Sequence, residues 1–183
     1  MTISLAIDTA TSRTSVALVR DGKVLWHGSQ IGATDHGSVL PQLVQTALGV
    51  SAEIDQVVVG MGPGPFTGLR VGISFAQAFA WARNIPLIGI CSLDAIAHGI
   101  EIDEFIVATD ARRKEWYWAR YTNGVRIGEP AVSFPTDVEK LGTTVHFGLF
   151  PDLIAMTNLA MQGSITEPMY LRRPDAVATA DRT

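Results

Sequence analysis

The chain has 183 residues, of which 47% are hydrophobic and 17% are charged, and its formal net charge is −4. This composition excludes a disordered chain and predicts a packed core with apolar surface left over for a partner. The negative charge provides no basic field, so we expect this chain alone to bind nucleic acid weakly. The single cysteine, Cys91, excludes an internal disulfide, and the start MTISLAIDTA lacks the basic segment and cleavage site of a signal peptide. We therefore expect a cytoplasmic protein.

The first hundred residues predict three antiparallel strands followed by alternating helices and strands. Strands are predicted at 2–8, 14–20, 23–28, 57–59 and 87–91, with an Asp21-Gly22 hairpin between the second and the third. Helices are predicted at 35–48, from 68 to about 83, and at 92–99. The first of these is expected to start near Ser38, because Pro41 is tolerated only close to a helix start. This is the layout of a ribonuclease-H-like lobe, the unit that is doubled in actin, sugar kinases and heat-shock ATPases.

The second half of the chain predicts the same pattern in a less complete form. Strands are predicted at 105–109, 116–121 and 125–129, and a helix at 151–161. The residues after Pro174 are polar or small, which predicts a frayed tail. We therefore predict an actin-like α/β fold of two lobes, with a complete ribonuclease-H-like lobe at 1–99 and a reduced lobe at 100–183.

The segment GPGPFTG at 62–68 is predicted to be a structural loop that leads into the long helix. Pro63 followed by Gly64 predicts a type II turn in which Gly64 has a positive φ. Thr67 is predicted to cap the helix, with Phe66 packing on Val71. Glycines before a helix also suit a phosphate, but neither a Walker sequence nor GxGxxG is present, so the structural interpretation is favoured. The residues assigned to this structural loop are Gly62, Pro63, Gly64, Phe66, Thr67 and Gly68.

The long helix carries small residues every four positions and is apolar almost all round. Its ridge consists of Gly68, Gly72, Ala76 and Ala80, and such a ridge lets another backbone approach closely. A helix with so few polar positions is normally buried on more than one side. It is too short and too rich in glycine to be a membrane span. We therefore expect one side to pack on the sheet and another side to pack on a partner.

Asp8, Thr9 and Thr11 follow the first strand, where the actin-like fold has its first phosphate loop. Asp8 suits a role facing the metal, and Thr11 suits a role facing phosphates. The alternative is that these short side chains bond only the amides of their own turn. The matching second loop at 110–113 lacks glycine and is basic, so the sequence leaves both interpretations open. The basic clusters at 112–114 and 172–173 are predicted to be solvated turns.

No catalytic or metal-binding set is visible in the sequence. The four histidines include no pair three or four residues apart, and there is one cysteine, so no zinc set can be assembled locally. No Ser-His-Asp or Cys-His arrangement stands out either.

Six segments together resemble the TsaB (also called YeaZ) family, within the glycoprotease-like group. They read DTAT, HGSVLPQLV, GMGPGPFTGLRVGISFAQAFA, CSLDAIA, ATDARRKEWYWARY and PMYLRR. They are spread along the chain, so that the resemblance covers nearly all of it. The resemblance implies a non-catalytic paralogue in the bacterial pathway that places threonylcarbamoyl on the adenosine beside the anticodon of tRNAs reading codons that begin with A. In that family the catalytic relative, TsaD, binds metal through an HxxxH motif, which this sequence lacks.

The resemblance also implies partners and an interface. A heterodimer with TsaD is expected, together with a homodimer when the chain is alone, the ATP-hydrolysing subunit TsaE in a larger complex, and only indirect contact with tRNA. No cofactor is expected on the isolated chain, although ATP or ADP with Mg can bind in the assembled complex. An ATP-binding kinase or ATPase of the same fold is the first alternative, and a peptidase is the second. The predicted interface residues are His36, Val39, Leu40, Leu43, Val44, Leu69, Arg70, Gly72, Ile73, Ala76, Gln77 and Ala80.

Overall fold

A computed structural model of the chain describes residues 1–32 and 34–171. The arginine pair at 172–173 and the predicted frayed tail lie outside the described residues. The strands are β1 Ile3–Asp8, β2 Arg13–Arg20, β3 Lys23–Ile31, β4 Gln56–Gly60, β5 Leu87–Ile90, β6 Glu104–Asp110, β7 Trp116–Thr122, β8 Val125–Ser133 and β9 Thr144–Phe147. The helices are α1 His36–Val50, α2 Phe66–Arg83, α3 Ser92–Ala97, α4 Pro135–Glu139 and α5 Leu153–Leu159.

The described strands form two sheets that repeat one arrangement. In the first sheet the order is β3-β2-β1-β4-β5, with the predicted antiparallel meander β1-β2-β3 and with β4 and β5 parallel to β1. In the second sheet the order is β8-β7-β6-β9, again a meander with β9 parallel to its first strand. The second sheet thus repeats the first without a counterpart of β5. This repeat confirms the predicted actin-like fold with a reduced second lobe.

The core follows from the alternation of side chains along the first sheet. Leu5 and Ile7 face α1 and α2, whereas Ala6, between them in sequence, faces α5 on the opposite side. Both faces of β1 are therefore covered, which explains its uninterrupted apolar run. Because α5 packs on β1, β2 and β4, the second half of the chain also contributes to the first core. The division of the chain at residue 99 stays a prediction.

Three local predictions differ from the structure. The helix α2 begins at Phe66 with Pro65 before it and without a side-chain cap, so the predicted capping role of Thr67 is wrong. The helix α1 begins at His36, before the start near Ser38 that Pro41 suggests, and Pro41 lies inside it. The short elements α4 and β9 were not predicted, because they are too short to show a clear period in the sequence.

Candidate functional sites

The Asp8 carboxyl group lies buried at the carboxyl end of β1, where both of its oxygens accept hydrogen bonds. The Ala10 amide donates to Oδ1 at 3.0 Å and the Ser92 hydroxyl donates to Oδ2 at 2.6 Å. Gly60, at the end of β4, leaves room for this pair, because a Cβ there would overlap the Asp8 carboxylate. Burial raises the pKa of Asp8 from 3.8 to about 6, although the bonds from Ser92 and Ala10 act in the opposite direction. The Asp8 carboxyl group therefore lies where the carboxyl ends of β1, β4 and β5 meet.

Thr9 connects the end of β1 to the helix α2. Its hydroxyl donates to the Gly68 carbonyl at 2.8 Å and accepts from the Gly72 amide at 3.1 Å, and the side chain is buried. Thr11 is half-buried, and its Oγ1 accepts from the Arg13 amide at 3.2 Å within the turn. Among the predicted phosphate-loop residues, the polar atoms of Asp8 and Thr9 are therefore engaged inside the protein. Thr11 is the one whose side chain reaches the space between the lobes.

His36, at the start of α1, is a buried structural residue. Its Nδ1 and the Thr14 hydroxyl are hydrogen-bonded at 2.7 Å, and its ring lies against Gly68, where a Cβ would come within 3.1 Å of Nε2. Burial lowers the pKa of His36, which favours the neutral imidazole. The predicted contact of His36 with a partner stays a prediction; in the chain itself the ring fills the junction between β2, α1 and α2.

The loop at 62–68 packs against the turn after β1, and the glycine with a positive φ is not the predicted one. Gly62 has the positive φ, at 88°, and the Gly62–Pro63 peptide bond is cis, whereas Gly64 has no positive φ. Gly64 instead lies against the turn after β1, where an added Cβ would come within 2.8 Å of the Ala10 Cα. The predicted type II turn is therefore wrong, and Gly64 is required for close approach of two backbones.

Most of the predicted interface residues face the core of the first lobe. The ridge of α2 approaches the end of β1, since a Cβ at Gly68 would come within 3.0 Å of the Thr9 carbonyl oxygen. The small residues therefore serve packing within the chain. Leu43 is half-buried, whereas Arg70 and Gln77 are exposed as predicted. The predicted interface residues that the structure buries are His36, Val39, Leu40, Val44, Leu69, Gly72, Ile73, Ala76 and Ala80.

The opposite side of α2 carries exposed side chains together with the half-buried Val71, Phe75 and Phe79, which pack against the edge of the first core. We call this surface the outer α2 face, formed by Phe66, Arg70, Val71, Ser74, Phe75, Gln77, Phe79 and Trp81. Trp81 is 86% exposed and Phe66 is 36% exposed. Phe75 stacks on Phe79 at a ring distance of 6.2 Å. The ring of Phe66 also contacts Tyr170 at 5.0 Å, which brings the end of the described chain to the start of α2.

A small cleft of about 220 Å³ separates the two lobes. The first lobe contributes Thr11, Ser12 and Pro65, and the second contributes Thr109, Asp110, Arg112 and the segment 147–150. Typical small-molecule sites are about 300–1,000 Å³, so this cleft is small for a nucleotide. Within the described part of the chain, the buried Oγ1 of Thr109 has no hydrogen-bond partner.

Residues 1–32 and 34–171 contain neither a candidate metal cluster nor a candidate membrane helix. Among these residues, no three or more His, Cys, Asp or Glu side chains are grouped so that they could hold a metal ion. None of the helices formed by these residues is long and apolar enough to cross a membrane.

The hydrogen bond between Asp8 and Ser92, which lie 84 positions apart, was not predicted from the sequence. A usable signal was present, because Asp8 ends β1, Gly60 ends β4 and Ser92 follows β5. The carboxyl ends of parallel strands meet at one edge of a sheet, so their terminal residues are expected to be neighbours. No comparable pattern in the sequence predicted the contact of Thr9 with α2.

Comparisons with known proteins find relatives over most of the chain. A family model described as TsaD, tRNA N6-adenosine threonylcarbamoyltransferase, matches residues 30–179. An uncharacterized protein of Mycobacterium tuberculosis is 43% identical over 197 aligned positions, which span 94% of this chain and 92% of that protein. The tRNA threonylcarbamoyladenosine biosynthesis protein TsaB of Escherichia coli is 39% identical over 136 positions, which span 68% of this chain and 58% of that protein.

Two solved structures from Pseudomonas aeruginosa share the fold. One is described as an uncharacterized protein with similarity to peptidase YEAZ, and it superimposes with a TM-score of 0.79 at 25% identity. That alignment covers 94% of this chain and 100% of the other. The second is described as YeaZ, with a TM-score of 0.74 at 25% identity over 88% of this chain and 92% of the other.

Proposed function

The chain belongs to the TsaB (YeaZ) family, and from that membership we propose that it is a non-catalytic subunit in the formation of threonylcarbamoyladenosine on tRNA. In this proposal it binds and activates a catalytic relative of the TsaD type. The sequence supports a non-catalytic role because it has no HxxxH motif. The internal hydrogen bonds of Asp8 and Thr9 support the same role, because they leave the phosphate-loop side chains little capacity to hold a metal or a nucleotide.

The observation that carries the proposal is the outer α2 face. It combines exposed aromatic rings with a half-buried valine and one arginine, and aromatic and arginine side chains are enriched at the centres of protein interfaces. Arg70 lies over the ring of Phe66 at 5.2 Å, and beside them is a shallow, mostly apolar depression of about 400 Å³. We therefore assign the interface with the catalytic relative to this face, in place of the buried ridge.

The homodimer uses the same surface in this proposal, and the remaining partners come from the family membership. When the chain is alone, the outer α2 face can pair with a second copy about a two-fold axis, which gives a homodimer. The catalytic relative then competes with the second copy for the same face. An ATP-hydrolysing subunit of the TsaE type, ATP or ADP with Mg, and tRNA join the assembled complex, in the cytoplasm.

Ser74 offers a test of this interface, because it is exposed near the middle of α2. Arginine is a good helix former, so Ser74→Arg should leave the melting temperature unchanged. An unpaired charge buried in the interface should cost several kcal/mol and abolish the complex with the catalytic relative. Thr136→Arg is the matched control, because Thr136 is exposed on α4 in the second lobe. Native mass spectrometry of each variant, alone and mixed with the catalytic relative, measures both assemblies.

Two results would contradict the proposal. A folded Ser74→Arg variant that kept both the homodimer and the mixed complex would show that the outer α2 face is not the interface. Steady ATP turnover by the isolated wild-type chain, lost in Asp8→Asn, would favour the alternative of an actin-like ATPase or kinase. Binding of labelled ATP to the isolated chain would also favour the ATPase or kinase over the non-catalytic subunit.

A further inference from the structure

The turn between β6 and β7 presents three consecutive basic residues in an unusual backbone conformation. Arg112, Arg113 and Lys114 have φ values of 65°, 50° and 64°, and all three are exposed. Residues other than glycine rarely adopt this left-handed region, and such conformations cluster at functional sites. We call this segment the basic loop. Arg112 and Asp110 form an exposed ion pair at 3.8 Å, but the three cations of the loop still outnumber the carboxylates of Asp110 and Glu115. The loop is therefore locally positive although the whole chain is negative.

A pair of stacked aromatic rings, the half-buried Trp116 and the exposed Phe147, lies at the same end of the second sheet. Trp116 begins β7 and Phe147 ends β9, and their ring centroids are 4.7 Å apart at an angle of 26°. Trp116 is paired with Asp110 and Phe147 with Ala108, so the two rings flank the end of β6 beside the basic loop. Phe147 is 48% exposed, which leaves much of its ring open to solvent.

Hydroxyl groups line the cleft next to this aromatic pair. Thr109 is 5% exposed and its Oγ1 has no hydrogen-bond partner within the described residues, although the residue lines the cleft. Thr11 and Ser12 line the cleft from the first lobe, and Phe147 and Arg112 line it from the second. The Oγ1 of Thr109 is itself shielded from solvent, so a ligand at the mouth of the cleft reaches Phe147 and Arg112 first.

We propose that this end of the second sheet, formed by the basic loop, Trp116 and Phe147, binds an unpaired stretch of RNA. A base stacks on the open face of Phe147, and Arg112 and Lys114 contact the adjacent phosphates outside the cleft. Proteins bind single-stranded nucleic acid mainly by stacking bases on aromatic rings and by contacting the phosphates with basic side chains. The choice of RNA as the biological ligand rests on the proposed function, and the contact is direct, in contrast to the indirect one expected from the family resemblance.

Fluorescence anisotropy with a labelled single-stranded oligouridylate tests this site at several salt concentrations, on the chain alone and on its complex with the catalytic relative. Phe147→Ala should weaken binding at least about fivefold, the lower end of the contribution of base stacking. The double variant Arg112→Ala/Lys114→Ala should reduce the slope of log K against log salt by about 1.4, which corresponds to two phosphate contacts on a single strand.

Two controls separate these losses from general effects. Phe147→Tyr keeps the stacking face and should restore binding to the wild-type level. Arg20→Ala/Lys23→Ala removes the same charge from the hairpin between β2 and β3, at the opposite end of β2 from the cleft, and should leave both affinity and slope unchanged. Thermal melts of all variants check the fold.

The proposal is overturned if the wild-type chain and the complex both fail to bind the oligouridylate, or if Phe147→Ala and the Arg112/Lys114 variant bind it as the wild type does. Unchanged RNA binding together with lost assembly with the ATP-hydrolysing subunit would identify the surface as a protein interface, which also overturns it. A chain that binds RNA at this site but never binds the catalytic relative would contradict the proposed function alone.

Discussion

Replacing Asp8 by asparagine tests whether this carboxyl group stabilises the fold as a neutral group. The asparagine amide can keep both contacts, because its oxygen can accept from the Ala10 amide and its nitrogen can donate to the Ser92 hydroxyl. The change therefore removes the ability to ionise and little else. No metal or nucleotide is needed for the comparison.

The magnitude follows from the raised pKa. The folded protein holds the Asp8 proton more tightly than the unfolded chain, because the pKa is about 6 when folded and 3.8 otherwise. The stability contributed by Asp8 is therefore fully present below about pH 3.8 and is lost as the pH rises through about 6. With about 1.36 kcal/mol for each pKa unit, the loss amounts to about 3 kcal/mol. Asp8→Asn should thus be more stable than wild type above about pH 7, by about 1 to 3 kcal/mol once imperfect hydrogen bonds are allowed for.

Urea unfolding of both proteins at a series of pH values from about 4 to 8 measures this difference directly. The gap between the two free energies of unfolding should open between about pH 4 and 6 and stay constant above about pH 7. Asp103→Asn is the control, because Asp103 is exposed and its replacement should change stability by no more than about 0.5 kcal/mol. A wild type that is more stable than Asp8→Asn at neutral pH, with the gap closing on acidification, would refute the reasoning. That result would mean that the ionised carboxylate is the stabilising form.

Two further predictions concern packing. Gly64→Ala should lower the free energy of unfolding, measured by urea unfolding, by about 1 to 3 kcal/mol, because its Cβ would overlap the Ala10 backbone. The control is Gly49→Ala in α1, where a Cβ has open space, and it should raise the free energy of unfolding by about 0.5 to 1 kcal/mol. Equal effects of the two changes would contradict the close approach of Gly64 to Ala10. Ala76→Arg should unfold the chain, because the arginine charge would be buried against the sheet at a cost of several kcal/mol. The control is Ala78→Arg, because Ala78 is exposed on the same helix, and circular dichroism should show it folded with a melting temperature near that of the wild type. A folded Ala76→Arg variant would show that the ridge does not lie in the core.

Local signals in the sequence were sufficient for the elements and the fold. Alternating apolar residues and the Asp21-Gly22 turn predicted the first meander, and the structure places β2 and β3 on either side of that turn. The helical repeat predicted α1 and α2 to within a few residues at their ends. These predictions succeeded because backbone conformation depends on neighbours a few positions away.

The use of the small-residue ridge could not be predicted in the same way. Glycine and alanine at four-residue spacing show that some atom approaches α2 closely, but they do not identify that atom. In the structure it belongs to Thr9, whose hydroxyl bonds Gly68 and Gly72 across 59 and 63 positions of sequence. The ridge was therefore correctly predicted to make a close contact, and within the chain that contact is with Thr9.

By itself, the sequence determined the order of the elements in the first lobe, the two-lobed fold and the family, because each depends on local periodicity or on contiguous motifs. Only the tertiary structure decided which side of α2 remains exposed, that Gly62 and not Gly64 has the positive φ, and that Asp8 is bonded by Ser92. Each of these depends on contacts between segments that are distant in sequence. Burial, close approach and a shifted pKa arise from the atoms that surround a group in space, and those surroundings exist only once the chain has folded.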